Sequence, residues 1–206
     1  MRKASLLYLL TCSPALFGST FTLGPDPNQM FDSENVGPYY GTLTGSSAVG
    51  FFCLDDELTA YFGASYSGTV AAPTTQPEEE AAFLAAYSLY LGSPSSNPGI
   101  VQSVEGPISF AIWQIMGTLG SKPPDPAAQP FVATAEYAYS HNLIPQSYLS
   151  TVLIFSPYDQ NIQRFIAVVP ASEMILSAVP EPASITVAAA GLWVLLPRAL
   201  ARRRRR

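Results

Sequence analysis

Residues 48–54, Ala-Val-Gly-Phe-Phe-Cys-Leu, decide how the centre of this 206-residue chain folds. A short apolar, aromatic-rich run bounded by turn residues is typical of a β-strand. Residues 36–42 alternate as a strand does, and the Thr-Gly-Ser-Ser sequence at 44–47 supplies a turn between the two runs. The sequence therefore predicts an antiparallel hairpin, with Cys53 near the end of its second strand.

Three helices are predicted after the hairpin. The first covers 76–91, because Pro77 is preset for a first helical turn and the glutamates at 78–80 meet the positive end of the helix dipole. The second begins near Pro107 and carries apolar residues at helical spacing. The third begins near Pro130.

Further strands are predicted on both sides of the helices. Residues 61–69 favour short extended structure broken by Gly63 and Gly68. Residues 151–155 and 162–169 favour two later strands. The order of strands, helices and strands indicates an α+β fold of short antiparallel strands with about three helices.

The first 18 residues have the pattern of a secretory signal peptide. Arg2 and Lys3 form a basic start, residues 4–10 are apolar, and small residues follow at Ala15 and Gly18. The sequence therefore predicts export of the domain that follows, residues 19–178.

The last segment, residues 179–206, combines three features in a fixed order. These are the residues Val179, Pro180, Glu181 and Pro182, then an apolar stretch at 183–201, then Arg202, Arg203, Arg204, Arg205 and Arg206. The apolar stretch approaches the length that a helix needs to cross a hydrocarbon core of about 30 Å, and the arginines should stay on the cytoplasmic side. A transmembrane helix is therefore predicted there.

This arrangement resembles the PEP-CTERM sorting signal of Gram-negative bacteria. The resemblance implies that an exosortase-type peptidase recognises the tail while it is inserted in the inner membrane and cleaves it near the Pro-Glu-Pro motif. The protein would then reach the cell surface or the extracellular matrix. A plain membrane anchor at the C-terminus is the alternative.

Charge divides the ends of the chain from its middle. Eight of the ten Lys and Arg residues lie at 2–3 and 198–206, so residues 19–180 hold only Lys122 and Arg164 against fourteen acidic residues. The net charge of this middle part is −12, whereas that of the whole chain is −5. An acidic surface cannot neutralise phosphates, which excludes nucleic acid as a partner.

Two segments of the middle domain carry a second resemblance. Phe51-Phe52-Cys53-Leu54 on a strand and Ser109-Phe110-Ala111-Ile112-Trp113 on a helix resemble the Cys–Gln thioester domains of bacterial surface adhesins. In that family a strand cysteine and a helix glutamine lose ammonia to form an internal thioester that captures a nucleophile. Cys53, Ala111, Ile112 and Trp113 match the motifs, but Ser109 stands where glutamine is expected.

The departure at Ser109 predicts a thioester-like fold without the thioester. Gln114 points to another side of the helix, and Gln102 precedes the predicted helix. Cys53 is then expected to be a small buried hydrophobic residue.

The other residues that could take part in catalysis or metal binding are expected to have structural roles. Asp55 and Asp56 are adjacent on a strand and should point to opposite faces, which argues against a carboxylate pair or a calcium site. Tyr87 and Tyr90 recur at helical spacing and are expected in the core. His141, the only histidine, cannot build a zinc site with one cysteine.

The terminal signals predict an exported, non-enzymatic cell-surface or matrix protein without a cofactor. Its expected partners are the exosortase-type peptidase, the inner membrane before processing, and an extracellular polysaccharide. Two alternatives stay open: a covalent adhesin with a thioester at Cys53, and an extracellular glycan hydrolase that uses Asp55 or Glu57.

Overall fold

The computed structural model describes residues 18–26, 28–44, 46–91 and 97–169, with the backbone alone at 46–49. All of these belong to one compact unit, Phe17–Ser177. The predicted sorting tail with its transmembrane helix, and the predicted signal peptide up to residue 17, lie outside the described residues. Within the described part of the chain, no helix combines the length and the apolar character needed to cross a bilayer.

The described residues form eight strands and five α-helices. The strands are β1 (Ser19–Leu23), β2 (Met30–Phe31), β3 (Glu34–Asn35), β4 (Tyr39–Leu43), β5 (Ser46–Cys53), β6 (Ser65–Ala71), β7 (Val152–Pro157) and β8 (Phe165–Val168). The helices are α1 (Gln76–Tyr90), α2 (Pro98–Ile100), α3 (Gly106–Met116), α4 (Gln129–Ser140) and α5 (Gln146–Leu149), with a π-helical turn, Val101–Glu105, between α2 and α3. The α+β prediction is confirmed.

Six antiparallel strands close into a barrel in the order β1-β4-β5-β8-β7-β6. The predicted hairpin is present as β4 and β5, with Tyr39 opposite Phe51. Strand β1 was not predicted, although it pairs with both β4 and β6. Closure leaves each of the six strands paired on both edges, so the barrel exposes no open sheet edge of its own.

Phenylalanine rings fill the barrel interior. Phe21, Phe51, Phe155 and Phe165 are fully buried, and the centroid of the Phe21 ring lies 4.3 to 5.3 Å from those of the other three. Burial of one such side chain contributes roughly 1.5–3 kcal/mol. The interior is therefore a packed core and not a channel.

Helix α3 is the central helix of the layer that covers the barrel. All its residues from Gly106 to Trp113 are buried, and it packs against α1 and α4. Helical structure begins before Pro107, at Pro98, because α2 and the π-helical turn run directly into α3. The predicted start of the second helix, near Pro107, is confirmed by the start of α3 at Gly106.

Three predictions need correction. Gly68 does not break a strand, because it lies inside β6 with Ser19 opposite it. Strand β8 begins at Phe165 and not at 162. Tyr90, expected in the core, is 76% exposed at the end of α1.

Candidate functional site

Cys53 is the last residue of β5 and lies where the barrel meets the helical layer. It is buried and unpaired with any other cysteine among the described residues, and it lies opposite Phe165 of β8. Its carbonyl oxygen accepts a hydrogen bond of 3.0 Å from the Trp113 indole nitrogen. Helix α3 thus fixes the backbone on which the thiol is carried.

The Cys53 thiol is held in its neutral form. Burial raises the pKa of Cys53 far above its usual range, and nearby Asp55 adds to this, while a hydrogen bond with the Tyr39 hydroxyl acts in the opposite direction. The Tyr39 hydroxyl also donates a hydrogen bond of 2.6 Å to the Asn35 carbonyl. The neutral thiol is therefore the favoured form of Cys53 at neutral pH.

A cavity of about 220 Å³ lies beside the thiol. Its lining includes Tyr39, Cys53, Asp56, Ala60, Trp113 and Gln163. Leu58 and Glu34, which also line it, are partly exposed, so the cavity reaches the surface. The arrangement gives a small external group access to the neighbourhood of Cys53.

Gln163 is the residue that the sequence interpretation missed. It lies two positions before Phe165, the β8 residue opposite Cys53, and so comes to the end of β5 that carries the thiol. When its amide is oriented to satisfy both neighbours, the nitrogen donates to the Asp55 carbonyl at 2.9 Å and the oxygen accepts from the Ala60 N–H at 3.3 Å. The side-chain carbonyl is thereby polarised at the cavity wall.

Of the residues in the helix motif, only Trp113 lines the cavity. The Ser109 hydroxyl accepts a hydrogen bond of 3.1 Å from the Gly37 N–H and is buried away from solvent. Ala111 and Ile112 are fully buried in the core, whereas Trp113 lines the cavity. The helix therefore supplies support to Cys53 through Trp113.

The other two glutamines considered for the missing position bind elsewhere. The Gln102 amide donates to the Met30 carbonyl at 3.0 Å. Gln114 accepts from the Gln129 amide at 2.7 Å.

The two carboxylates that follow Cys53 in the sequence, those of Asp55 and Asp56, bind different cationic side chains. Arg164 binds Asp55 with three hydrogen bonds of 2.8 to 3.2 Å, from its backbone N–H, Nε and Nη2. The Lys122 ammonium binds Asp56 at 2.7 Å and Glu34 at 2.6 Å. Asp55 and Asp56 therefore do not converge on one point, as the strand alternation predicts. In the described ranges, no three His, Cys, Asp or Glu side chains come together to hold a metal ion.

The remaining site residues predicted from the sequence belong to the sorting tail. Residues 179–182 and 202–206 lie outside the described part of the chain. Their role stays a prediction.

No family model and no curated protein matches the chain. Among solved structures, the chain is similar to the N-terminal domain of the Streptococcus pyogenes pilus tip adhesin Cpa, with a TM-score of 0.40 and 12% sequence identity over 74% of this chain and 94% of that one.

Proposed function

We propose that this chain is an exported, non-enzymatic surface protein whose domain captures a nucleophile through an internal thioester between Cys53 and Gln163. The observation that carries the proposal is that the only described thiol and a side-chain amide line the same surface-connected cavity. Gln163 takes the place that the motif comparison gave to Ser109. Each molecule would react once, so the protein is not an enzyme.

Formation of the bond needs no external reagent. The Cys53 sulfur attacks the Gln163 amide carbon, the carbon–sulfur bond forms, and the carbon–nitrogen bond breaks. The thiol proton leaves with the amide nitrogen as ammonia. The Ala60 N–H is placed to stabilise negative charge on the amide oxygen during the attack.

When the thioester captures an external amine, the nitrogen of that amine replaces the one that was lost as ammonia. An external amine attacks the same carbon, an amide forms, and the sulfur departs to regain its proton. Both the thioester and the released Cys53 thiol are neutral, so neither state places a charge on the buried sulfur. The surface-connected cavity beside Cys53 admits the amine.

The intact mass of the purified full chain tests the proposal. The expected mass is lower by one ammonia than the sequence requires, and treatment with methylamine should add one methylamine. Cys53→Ala and Gln163→Glu should each abolish the deficit, since Gln163→Glu preserves size but has no amide nitrogen to lose. Ser109→Ala is the matched control and should retain the deficit.

An unmodified mass in the wild-type chain would end the thioester proposal. The chain would then be a surface protein that binds its partner without a covalent bond. The glycan-hydrolase alternative is not favoured at Asp55, because the Arg164 guanidinium binds its carboxylate at 3.0 Å.

The second part of the proposal concerns how the protein is exported and sorted to the cell surface. The leader at 1–18 and the tail at 179–206 support export followed by sorting through an exosortase-type peptidase. This part rests on the sequence of the two ends, and it is tested by the fate of the tail and not by the mass of the domain.

A further inference from the structure

The thiol of Cys53 needs a partner that can take its proton during the proposed reaction. Burial raises the pKa of Cys53 far above its usual range, so a free thiolate is disfavoured before the sulfur attacks. The proton therefore has to move while the carbon–sulfur bond forms. Such a transfer requires a group of suitable chemistry within hydrogen-bond reach of the sulfur.

The pairing of β4 with β5 places the Tyr39 side chain beside this sulfur. Tyr39 lies opposite Phe51, and Cys53 is two residues further along the same strand as Phe51. Side chains two positions apart on a strand share a face, so Tyr39 and Cys53 are diagonal neighbours within reach of an aromatic side chain. A hydrogen bond joins the Tyr39 hydroxyl to the Cys53 thiol. The hydroxyl thus touches the reacting atom.

Two further contacts hold the Tyr39 hydroxyl in place. It donates to the Asn35 carbonyl at 2.6 Å, and the Tyr39 ring meets that of Phe62 edge-on, with the centroids 5.5 Å apart. The donated bond makes the phenol oxygen a stronger acceptor, because linked hydrogen bonds polarise one another. Desolvation raises the pKa of Tyr39 well above its usual value, and Cys53 adds to this. The side chain therefore stays a neutral phenol, which can accept one proton while it donates another.

The other titratable groups at the cavity wall are carboxylates to which a cation is already bound. Among the described residues, these are Glu34 and Asp56, which lie 2.6 and 2.7 Å from the Lys122 ammonium. Tyr39 lines the same cavity as Gln163 and is the one of the three that is hydrogen-bonded to the sulfur. It is therefore the group best placed to pass a proton between the sulfur and the nitrogen on the Gln163 carbon.

We propose that the Tyr39 hydroxyl is a catalytic group that relays a proton between the Cys53 sulfur and the nitrogen bound to the Gln163 side-chain carbon. As the sulfur attacks, the thiol proton passes to the Tyr39 oxygen, and the hydroxyl proton passes to the amide nitrogen, which leaves as ammonia. In capture, the attacking amine gives a proton to the Tyr39 oxygen, and the hydroxyl proton goes to the departing sulfur. The tyrosine is unchanged in both directions. The inference rests on the thioester of the proposed function.

Ammonia allows both directions to be followed by intact mass on one preparation of the full chain. Ammonium chloride should convert the thioester back to Cys53 and Gln163 with the gain of one ammonia, and its removal by gel filtration should let the mass deficit return. Tyr39→Phe keeps the ring and removes the hydroxyl. We expect this variant to slow both changes about 10²-fold or more, the lower range for general acid–base catalysis.

Tyr66→Phe is the matched control. The Tyr66 hydroxyl also bonds to the backbone, since it accepts from the Tyr61 N–H at 2.6 Å, but Tyr66 is not among the residues that line the cavity. Removal of this hydroxyl should leave both rates unchanged. Circular dichroism of each variant checks that the fold is retained.

The pH profile separates a proton relay from a structural role of the hydroxyl. When the rate of capture is expressed per unprotonated ammonia, that of the wild type should vary little between about pH 7 and about pH 9. The rate of Tyr39→Phe should increase with pH over this range, because hydroxide must take the proton that the phenol no longer carries. Loss of positioning alone would lower the rate by the same factor at every pH.

Two results would overturn the relay and leave the thioester in place: a wild-type rate for Tyr39→Phe, or a slowing that is the same at every pH. A wild-type chain without the ammonia deficit would overturn the thioester and the relay together. Tyr39→Phe purified without the deficit should acquire it on incubation at about pH 9. Failure of the folded variant to do so would also contradict the relay.

Discussion

Trp113 connects the helical layer to the residue on which the proposed chemistry depends. Its indole N–H binds the Cys53 carbonyl at 3.0 Å, and its ring centroid lies 4.9 Å from that of Phe110. The Lys122 ammonium lies 5.8 Å from the same ring, within the range of a cation–π interaction. One side chain thus fixes the end of β5 and forms part of the cavity wall.

Trp113→Phe should lower the free energy of unfolding by about 1–3 kcal/mol. The substitution keeps an aromatic ring but leaves the buried Cys53 carbonyl without its indole donor. Urea denaturation measures the change. Tyr137→Phe, at a residue that is 59% exposed, is the control and should stay within about 0.5 kcal/mol of the wild type. Equal midpoints for Trp113→Phe and wild type would show that the indole bond adds nothing.

Gln163 was not predicted from the sequence, and Ser109 was considered in its place. Cys53 and Trp113 were recognised because each belongs to a local motif. Gln163 carries no local signal beyond a polar residue at the start of an apolar run, and its proximity to Cys53 arises from the pairing of β5 with β8. Such pairing joins residues more than one hundred positions apart, which a motif counted along one helix cannot reveal.

Among the elements, α1 has the most complete set of helix-start signals. Thr75 is its N-cap, and Glu78 completes a capping box by accepting hydrogen bonds of 3.1 and 3.0 Å from the backbone N–H groups of Thr75 and Thr74. Desolvation acts to raise the pKa of Glu78, but the bonds from Thr74 and Thr75 outweigh it, and the pKa is lowered. For the buried Glu80, desolvation is the largest cause and the pKa is raised, with Glu136 adding to the effect.

These opposite shifts predict opposite responses to pH. The Glu78 contribution is present above its unfolded pKa of about 4.3 and is lost as the pH falls through the lower folded value. Glu78→Ala should therefore cost about 0.5–1 kcal/mol at neutral pH, the low end for a cap at a partly exposed site, and almost nothing in acid. Urea denaturation at several values between about pH 3 and pH 7 measures the free energy of unfolding of the variant and the wild type. This range spans the pKa of Glu78 in the unfolded chain.

Glu80→Gln is the paired variant in the same helix. Because the folded pKa of Glu80 is raised, ionisation disfavours the folded state above that pKa. The variant should be as stable as the wild type or more stable at neutral pH, and this advantage should vanish on acidification. A loss of stability at neutral pH for Glu80→Gln would contradict the assignment.

Local signals also explain which elements were predicted. Helices α1 and α4 were placed within a residue or two, because proline and capping residues mark their starts. Strand β1 was missed because residues 19–23 adjoin the predicted leader and pair with strands that follow later in the chain. Closure of six strands into a barrel depends on those distant pairings and cannot be read from alternation alone.

For the whole molecule, we expect the ends of the chain to determine where the folded domain is used. Removal of residues 179–206 should change the destination of the protein, because the domain alone lacks the Pro-Glu-Pro motif, the apolar stretch and the arginines. Cell fractionation and the mass of the mature chain measure the effect. A control variant that replaces only Arg202 to Arg206 with serine separates recognition of the basic end from loss of the whole tail. Identical location and processing with and without the tail would rule out sorting.

The order of the barrel strands also sets when the proposed electrophile can arise. Gln163 lies two residues before the last barrel strand, whereas Cys53 ends the third barrel strand along the chain. A chain that crosses a membrane from its N-terminus delivers Cys53 first and Gln163 only after more than a hundred further residues. The two reacting groups would therefore first meet on the far side of the membrane, where amines of the cytoplasm can no longer consume the bond before it reaches its target.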